Sequence, residues 1–394
     1  MAIDVTSATE AYLRLVPPAR DMIATEYTRG SHWLLLWSKL MALSVATVLA
    51  RVDVVRLLPA RLMPPSRPRV AAFWTSLSIL ACYLTLEMPW FAAADWYRER
   101  LYGFSHQPLV AWLAGYAIQS LVLSVAGAAL LTIFYAAVRR GGPRWWLWGT
   151  AVAAMGLVLA LIVQPILLVH LLQNHRPAPR GKMQAAVEEL LVRTGAPGGE
   201  VLVYDGSRES SRYTATVTGF GSSATVLLSD SMFARGADVA EVRAVVAHEL
   251  GHERHNHAIL LAIVLTLVVG AGLLVTDRAF GPVARRLGMP QAALADPRTL
   301  PVLLAIFAAY TFVTTPLVNT TERLVEVDAD RYGLELAQEP DGMARAVLAT
   351  ADYRASRPAF LEELLFYDHP SVRSRIEHAM RWKADHDRSA DTSR

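Results

Sequence analysis

The feature that most constrains the fold is a set of long stretches that contain no Asp, Glu, Lys or Arg. Four such stretches are near or above the ~20 residues that an α-helix needs to cross a bilayer. They are Gln107–Val138, Trp145–Val169, Ala258–Thr276 and Thr299–Thr321. Residues 31–50 and 70–93 are weaker candidates because each contains a charged residue, Lys39 or Glu87, which must snorkel or face protein. The sequence predicts six spans, and five would still satisfy the pattern.

The composition indicates an integral membrane protein. The chain is 53% hydrophobic with a mean hydropathy of +0.29, and its apolar residues are concentrated in blocks. The net charge of +3 is small and the Arg residues are spread among loops, so we expect no nucleic-acid partner. The first thirty residues lack the apolar core of a cleavable signal peptide. Cys82 is the only cysteine, which excludes a zinc site built from cysteines.

A histidine-rich motif, "HELGHERHNH", stands directly before one of the apolar runs. On an α-helix, residues four apart share a face, so His248 and His252 can direct two imidazole nitrogens at one metal ion. Glu249 can then reach a water on that ion, which is the His-Glu-x-x-His arrangement of zinc peptidases. The alternative is a solvated, histidine-rich helix end, with His255 as a surface residue. A third ligand elsewhere in the chain would favour the metal site.

The third ligand is predicted in "TERLVEVDADRYG", which follows the last apolar run. Glu326 and Asp330 are four apart, so one face of a helix offers a carboxylate for zinc and a second that can accept the N–H of a ligating imidazole. Glu322 and Asp328 are competing candidates: Glu322 shares the face of Glu326, whereas Asp328 points elsewhere. An acidic solvated face is the alternative for this segment taken alone.

The remaining polar sequence predicts a small domain with both helices and strands. A helix in "MQAAVEELLVRTG" precedes three strand-like runs, "EVLVYD", "YTATVTGFG" and "ATVLLSD", which are separated by Gly, Ser and Asp. The predicted organisation is an N-terminal segment 1–30, a membrane region 31–173 with about four spans, a peptidase region 174–257, a transmembrane hairpin 258–321, a C-terminal helical part 322–380 and a disordered tail 381–394.

Five ordered stretches make the chain resemble the M48 integral-membrane zinc metallopeptidases, in particular the CAAX prenyl protease type related to yeast Ste24 and, more distantly, HtpX. The stretches are "YRERLYGFSHQ", "VLVYDGSRESSRYTATVTGFGSSATVLLSD", "HELGHERHNH", "ERLVEVDAD" and "YDHPSVRSRI". The resemblance implies a mainly α, polytopic membrane protein with a small α+β zinc metallopeptidase domain of the gluzincin type. It also implies an integral, multi-pass location, which we expect to be a bacterial cell membrane.

The resemblance and the residues together imply a zinc-dependent endopeptidase that acts on membrane-associated proteins or peptides. One Zn²⁺ per chain would be held by His248, His252 and Glu326, with Asp330 behind them. Glu249 would take a proton from water whose pKa the zinc lowers toward ~7 and pass it to the leaving amine. Other roles carried by the resemblance are oxyanion stabilisation by His369, support or substrate anchoring by Arg375, and possible substrate binding by Thr214, Ala215, Asn256 and His257.

The residues and the resemblance leave alternatives for the substrate, the orientation in the membrane and the function. The family usually has Asn-Ala where this chain has Thr214 and Ala215, so the substrate preference can differ; a prenylated C-terminus, damaged membrane proteins and secreted peptides all fit.

Loops opposite the ligand-bearing face contain 12 Arg, which predicts that they are cytoplasmic, whereas the resemblance implies the reverse. A non-catalytic sensor or scaffold derived from a peptidase, or a transporter with Glu87 on an ion path, are the alternative functions.

Overall fold

The computed structural model describes residues 3–64, 66–167, 174–208, 210, 212, 214–218, 224–234 and 236–392. These residues form a mainly helical molecule with one small sheet. The helices are α1 Val5–Leu13, α2 Pro18–Arg51, α3 Pro68–Phe91, α4 Arg98–Leu101, α5 Leu109–Gly141, α6 Trp145–Leu167, α7 Lys182–Arg193, α8 Asp230–Ala234, α9 Val239–Arg254, α10 His257–Arg286, α11 Leu300–Ala337, α12 Pro340–Ala349, α13 Phe360–Phe366 and α14 Val372–Thr392.

Five continuous helical segments of the described chain are long and apolar enough to cross a membrane. The third of them, Leu109–Leu161, contains two helices, α5 and the first part of α6, joined by a turn in which Gly142 has a φ of 52°. The two helices pack closely in antiparallel order, since a Cβ on Gly156 would lie 2.8 Å from Leu130 and one on Gly149 would lie 3.0 Å from Phe134. The segments therefore contain six apolar helices, in agreement with the six predicted spans.

The outer faces of these helices are apolar and exposed, which is the surface that a bilayer covers. Ile118 and Leu121 on α5 are exposed, as are Ile263 and Leu267 on α10. The inner faces pack into one cluster that includes the fully buried Tyr135. The two charged residues predicted inside spans differ in solvent exposure. Glu87 on α3 is buried, and Lys39 on α2 is half-buried.

The peptidase region contains a sheet of four strands, β1 His175–Pro177, β2 Glu200–Tyr204, β3 Ala215–Thr218 and β4 Thr225–Ser229. The strand order is β1-β2-β4-β3, with β2 and β4 parallel and the outer pairs antiparallel. The three predicted strand runs correspond to β2, β3 and β4. The sequence did not indicate β1, a three-residue "HRP" run with no alternation that becomes a strand by pairing with β2.

The ends of the chain differ from the organisation expected from sequence. The boundary at residue 30 falls inside α2, and α1 packs on α14 through a cluster that contains Leu13 and Ile376. The segment expected to be a disordered tail is helical through Thr392. In this segment Arg381 pairs with Glu377, one turn earlier, at 2.7 Å, and Ala384 is buried. The helix thus has charged side chains on one face and an apolar stripe that packs against the protein on the other.

Helix α9 and the C-terminal part of α11, beyond its apolar run, pack at unusually close range. A Cβ built on Gly333 of α11 would lie 3.0 Å from the backbone nitrogen of His248, and one built on Gly251 of α9 would lie 3.2 Å from the backbone of Ala329. Such contacts are tighter than ordinary Cβ packing, so each glycine lets the opposite backbone approach. The pair therefore behaves as one unit, although α10 and the membrane part of α11 separate the two contacting stretches in the chain.

Replacement of Gly333 by valine should push α9 and α11 apart and destabilise the protein. Overpacked sites of this kind cost about 1–3 kcal/mol, and the contact here is with backbone that cannot swing away. We expect Gly333→Val to lower the apparent melting temperature in detergent. Gly115→Val is the matched control, because a Cβ at Gly115 in α5 meets nothing within 4 Å. Equal melting temperatures for the two variants would contradict the close approach.

Candidate active site

Helix α9 presents the histidine motif to α11 because its other face is anchored in the core of the peptidase region. Asp238 caps its N-terminus by accepting a hydrogen bond from the backbone N–H of Glu241 at 2.8 Å. Val242, Val246 and Leu250 are fully or almost fully buried in the apolar cluster formed with the sheet and α7. The helix is thereby fixed in rotation.

The three predicted ligands converge. Nε2 of His248 lies 3.1 Å from Nε2 of His252 and 3.4 Å from Oε2 of Glu326, and Nε2 of His252 lies 3.5 Å from Oε1 of Glu326. Two ligand atoms each about 2.0–2.1 Å from a tetrahedral zinc ion are separated by about 3.3–3.4 Å. The three separations therefore match the space that one zinc ion needs.

Two further observations fit a cation at this point. Oε2 of Glu326 is buried and makes no hydrogen bond to the described residues, and an unpartnered buried carboxylate oxygen is costly unless a cation satisfies it. Burial alone would lower the pKa of His248, but the nearby carboxylates of Asp330 and Glu326 outweigh burial and raise it to about 10. A site that holds a proton this firmly has a negative potential, which also favours a metal ion.

Asp330 and Arg375 form a buried support behind His248. Oδ1 of Asp330 lies 2.8 Å from Nδ1 of His248, on the side of the ring away from the ligand nitrogen. Arg375 donates two hydrogen bonds to the same carboxylate, from Nε at 2.7 Å and from a terminal nitrogen at 2.6 Å. The carboxylate is thus fixed by a forked pair and can orient the imidazole. These contacts favour a positioning role for Arg375 through Asp330.

His369 approaches the site from the loop before α14. Its Nε2 lies 3.4 Å from Oε1 of Glu326, so the ring is beside the three ligands. Its Nδ1 lies 2.8 Å from Oδ1 of Asp368, a carboxylate that orients the ring and that the sequence did not single out. The sequence feature that could have indicated Asp368 is its position directly before His369. The ring is 31% exposed, which leaves it open to a substrate.

Burial adjusts the other two members of the motif for their roles. It lowers the pKa of His252 to about 4, with the charge of His248 adding to the effect, so the imidazole of His252 is neutral at pH 7. Burial raises the pKa of Glu249 to about 7, against the opposing effect of the positive charge of His248. A carboxyl group whose pKa lies near neutrality is suited to accept and return a proton.

The four residues suggested for substrate binding lie in different settings. Ala215 begins β3, an outer strand of the sheet that packs against α9, and Thr214 directly precedes it. Asn256 is exposed and adopts a left-handed conformation with a φ of 53° between α9 and α10. His257 is 4% exposed, and both of its ring nitrogens face other side chains, so its described contacts are within the protein.

The two carboxylates that competed with Glu326 are separated by the structure. Glu322 lies one turn nearer the membrane on α11 and is absent from the group of ligand atoms that meet at His248. Asp328 belongs to a different group, with His255 and His257. The described side chains thus favour Glu326 as the third ligand. His255, which we expected to be a surface residue, contacts Asp328.

A polytopic α-helical protein in which a His-Glu-x-x-His helix meets a glutamate from a second helix defines the class of membrane-embedded zinc metallopeptidases. Comparisons with known proteins agree. Residues 177–383 match the model of peptidase family M48, and residues 17–173 match the model described as CAAX prenyl protease N-terminal, five membrane helices. The first match spans just over half of the chain, so the chain belongs to peptidase family M48. It is a zinc-dependent membrane endopeptidase.

Individual relatives cover most of the chain at low identity. An uncharacterized metalloprotease, YhfN of Bacillus subtilis, is 25% identical over 77% of this chain and 71% of its own length. A CAAX prenyl protease 1 homolog of Arabidopsis thaliana is 24% identical over 76% of this chain and 72% of its own. The crystal structure of Ste24p from S. mikatae superposes with a TM-score of 0.72 at 19% identity, covering 95% of both chains. That likeness confirms the fold.

The choice of Glu326 as third ligand can be tested against its neighbour one turn away. We expect Glu326→Ala to lose bound zinc, because only two imidazoles remain, whereas Glu322→Ala retains it. The measurement is elemental analysis of both purified variants after dialysis against metal-free buffer, with wild type alongside. The opposite pattern, zinc lost only from Glu322→Ala, would show that the third ligand has been misassigned.

Proposed function

We propose that the chain holds one zinc ion per molecule at His248, His252 and Glu326 and uses it to hydrolyse peptide bonds in membrane-associated proteins or peptides. The observation that carries this proposal is the convergence of the three ligand atoms at separations of 3.1–3.5 Å. When bound, the ion supplies Lewis-acid chemistry and lowers the pKa of a coordinated water toward ~7. The remaining steps belong to the side chains of this protein.

In this proposal Glu249 moves the proton. Its carboxylate accepts a proton from the water as the water oxygen attacks the carbonyl carbon of the peptide bond. Glu249 then delivers this proton to the nitrogen of the leaving amine as the C–N bond breaks. In its protonated form, which carries N–H groups on both ring nitrogens, His369 donates from Nε2 to the oxygen of the scissile carbonyl as negative charge develops there. Asp368 accepts from Nδ1 of the same ring and so keeps the donor directed toward the site. Asp330 and Arg375 hold His248 in its orientation.

The sheet supports a mode of substrate binding. Strand β3 pairs with β4 on one side, and its other side has no strand partner among the described residues. An extended peptide can add to such an edge through main-chain hydrogen bonds, a mode that depends on backbone more than on side chains. Because β3 packs on α9, a peptide added there would run beside the histidine motif. Thr214 and Ala215 would then contact the substrate.

The position of the site supports substrates at the bilayer surface. The apolar run of α11 ends at Thr321, and Glu326 lies five residues further, or about 8 Å along the helix axis. Helix α13 is fastened at the same level, since Asn319 and Arg323 donate to carbonyl oxygens at its C-terminal end. Its outer side chains include Phe360, which is 78% exposed. An apolar helix at this height suits the membrane interface.

The other candidate functions are less well supported. A sensor or scaffold derived from a peptidase has no need of the proton acceptor or the third ligand, and Glu249 and Glu326 are both present. A transporter with Glu87 on its ion path is not favoured by the family matches. We also propose a bacterial cell membrane as the location, on the basis of relatives from Bacillus subtilis and Acidiphilium cryptum.

Glu249 separates catalysis from metal binding. We expect Glu249→Gln to keep zinc and fold but to cleave a reporter peptide at least about 100-fold more slowly, because general acid–base groups typically contribute 10²–10⁴ in rate. His248→Ala should lose zinc and activity together. Glu253→Gln, one turn later on α9, is the matched control and should cleave like wild type. The assays are zinc content and peptide cleavage in detergent, with a chelator control. Near wild-type cleavage by Glu249→Gln would defeat the proposed mechanism.

A further inference from the structure

Beside the zinc ligands lies a second group of metal-ligating side chains, His255, His257 and Asp328, which we call the second cluster. One donor atom from each of the three lies within 4.8 Å of the others. Nδ1 of His255 contacts Oδ2 of Asp328, and Nε2 of His257 lies 3.1 Å from the same oxygen. The described part of the chain has two such groups, and the proposed mechanism uses only the first.

The local backbone explains how His255 and His257 come to face one point. Within an α-helix, residues two apart point to nearly opposite faces. Here α9 ends at Arg254, Asn256 takes the left-handed conformation with φ 53° and ψ 40°, and α10 begins at His257. Because the chain turns at Asn256, the side chains of His255 and His257 do not point to opposite faces as they would in a continuous helix. Both rings are directed toward α11. Asp328 lies on a different face of α11 from Glu326 and meets them there.

The second cluster combines an accessible rim with a buried base. The side chains of His255 and Asp328 are 39% and 45% exposed, whereas that of His257 is 5% exposed. An ion from solvent can therefore reach the cluster, and the buried imidazole gives it a fixed ligand. Two imidazoles and a carboxylate are a donor set that suits Zn²⁺.

The second cluster also touches the first site. Nδ1 of His257 lies 3.1 Å from Nδ1 of His252, so at least one of these nitrogens carries a proton when they are hydrogen-bonded. If Nε2 of His252 binds zinc, its proton is on Nδ1, and Nδ1 of His257 must accept. His257 then carries its own proton on Nε2, where it donates to Asp328. The zinc-bound state thus fixes the tautomers of both rings.

We infer that His255, His257 and Asp328 form a second, weaker Zn²⁺ site whose occupation inhibits the enzyme. A metal ion on Nε2 of His257 displaces the proton from that nitrogen to Nδ1. Two N–H groups, on His252 and His257, then face each other across 3.1 Å, and His252 loses its hydrogen-bond acceptor. Loss of such a supporting contact typically costs about 10–100-fold in metal affinity or activity. The inhibitory part of this inference rests on the proposed function of the first site.

Metal binding tests the second site independently of activity. Purified protein in detergent is dialysed against buffers of increasing free Zn²⁺, and bound zinc is measured. Wild type should bind one ion at low and a second at high free zinc. His255→Ala should bind only the first ion, and Asp328→Asn should bind the second more weakly. His106→Ala, which removes an exposed histidine elsewhere, should bind two ions like wild type.

Activity tests the coupling between the sites. At the free zinc concentration that fills the second site, peptide cleavage by wild type should fall at least about tenfold, whereas His255→Ala should keep its activity. A second ion bound equally by wild type and His255→Ala would overturn the assignment of the site. Equal inhibition of the two proteins would overturn the coupling.

The first site is judged separately from the second cluster. His248→Ala should lose the tight ion and still bind the weak one, because His248 is not part of the second cluster. Retention of the tight ion in His248→Ala would contradict the proposed function alone. Loss of both ions would show that the weak ion also needs His248 and would contradict the assignment of that ion to the second cluster.

Discussion

The contact between α9 and α11 is the constraint on which the active site depends. The two helices carry complementary parts of the donor set, and α10 with the membrane part of α11 separates these parts in the chain. Gly333 and Gly251 let the helix backbones approach so closely that His248 and Glu326 can share one ion. Asp330 of α11 crosses the same interface to contact His248 of α9, and Arg375 of α14 pairs with its buried carboxylate.

This arrangement links the chemistry to the membrane. Helix α10 begins two residues after His255, so the helix with the histidine motif leads almost directly into a span. Helix α11 is continuous from its membrane part through Glu326 and Asp330. Since both halves of the donor set are rigidly joined to spans, the height of the site above the bilayer is fixed by helix length. A protein built in this way can act on segments that emerge from the membrane without moving its catalytic groups.

Much of the architecture could be predicted because its signals are local. An uncharged run of twenty or more residues is sufficient to indicate a span, and the four-residue spacings of His248 with His252 and of Glu326 with Asp330 already place each pair on one helix face. The family resemblance gave the overall fold, which the match to Ste24p confirms. Among the local features, β2, β3 and β4 are visible in the sequence as strand-like runs.

What could not be predicted depends on contacts between distant parts of the chain. The pairing of Arg375 with Asp330 joins residues 45 positions apart, and α1 packs against α14 at the other end of the sequence. The second cluster needs the left-handed conformation of Asn256, which no periodicity reveals. From the sequence alone, His255 is therefore interpreted as a surface residue, and Asp328 as an acidic residue that points away from the helix face of Glu326.

The most direct measurement is zinc anomalous diffraction from crystals of protein that contains one zinc per chain. We predict one anomalous peak, enclosed by Nε2 of His248, Nε2 of His252 and the carboxylate of Glu326, at about 2.0–2.2 Å from each. A peak that lies instead beside His255, His257 and Asp328, or one that does not touch Glu326, would contradict it.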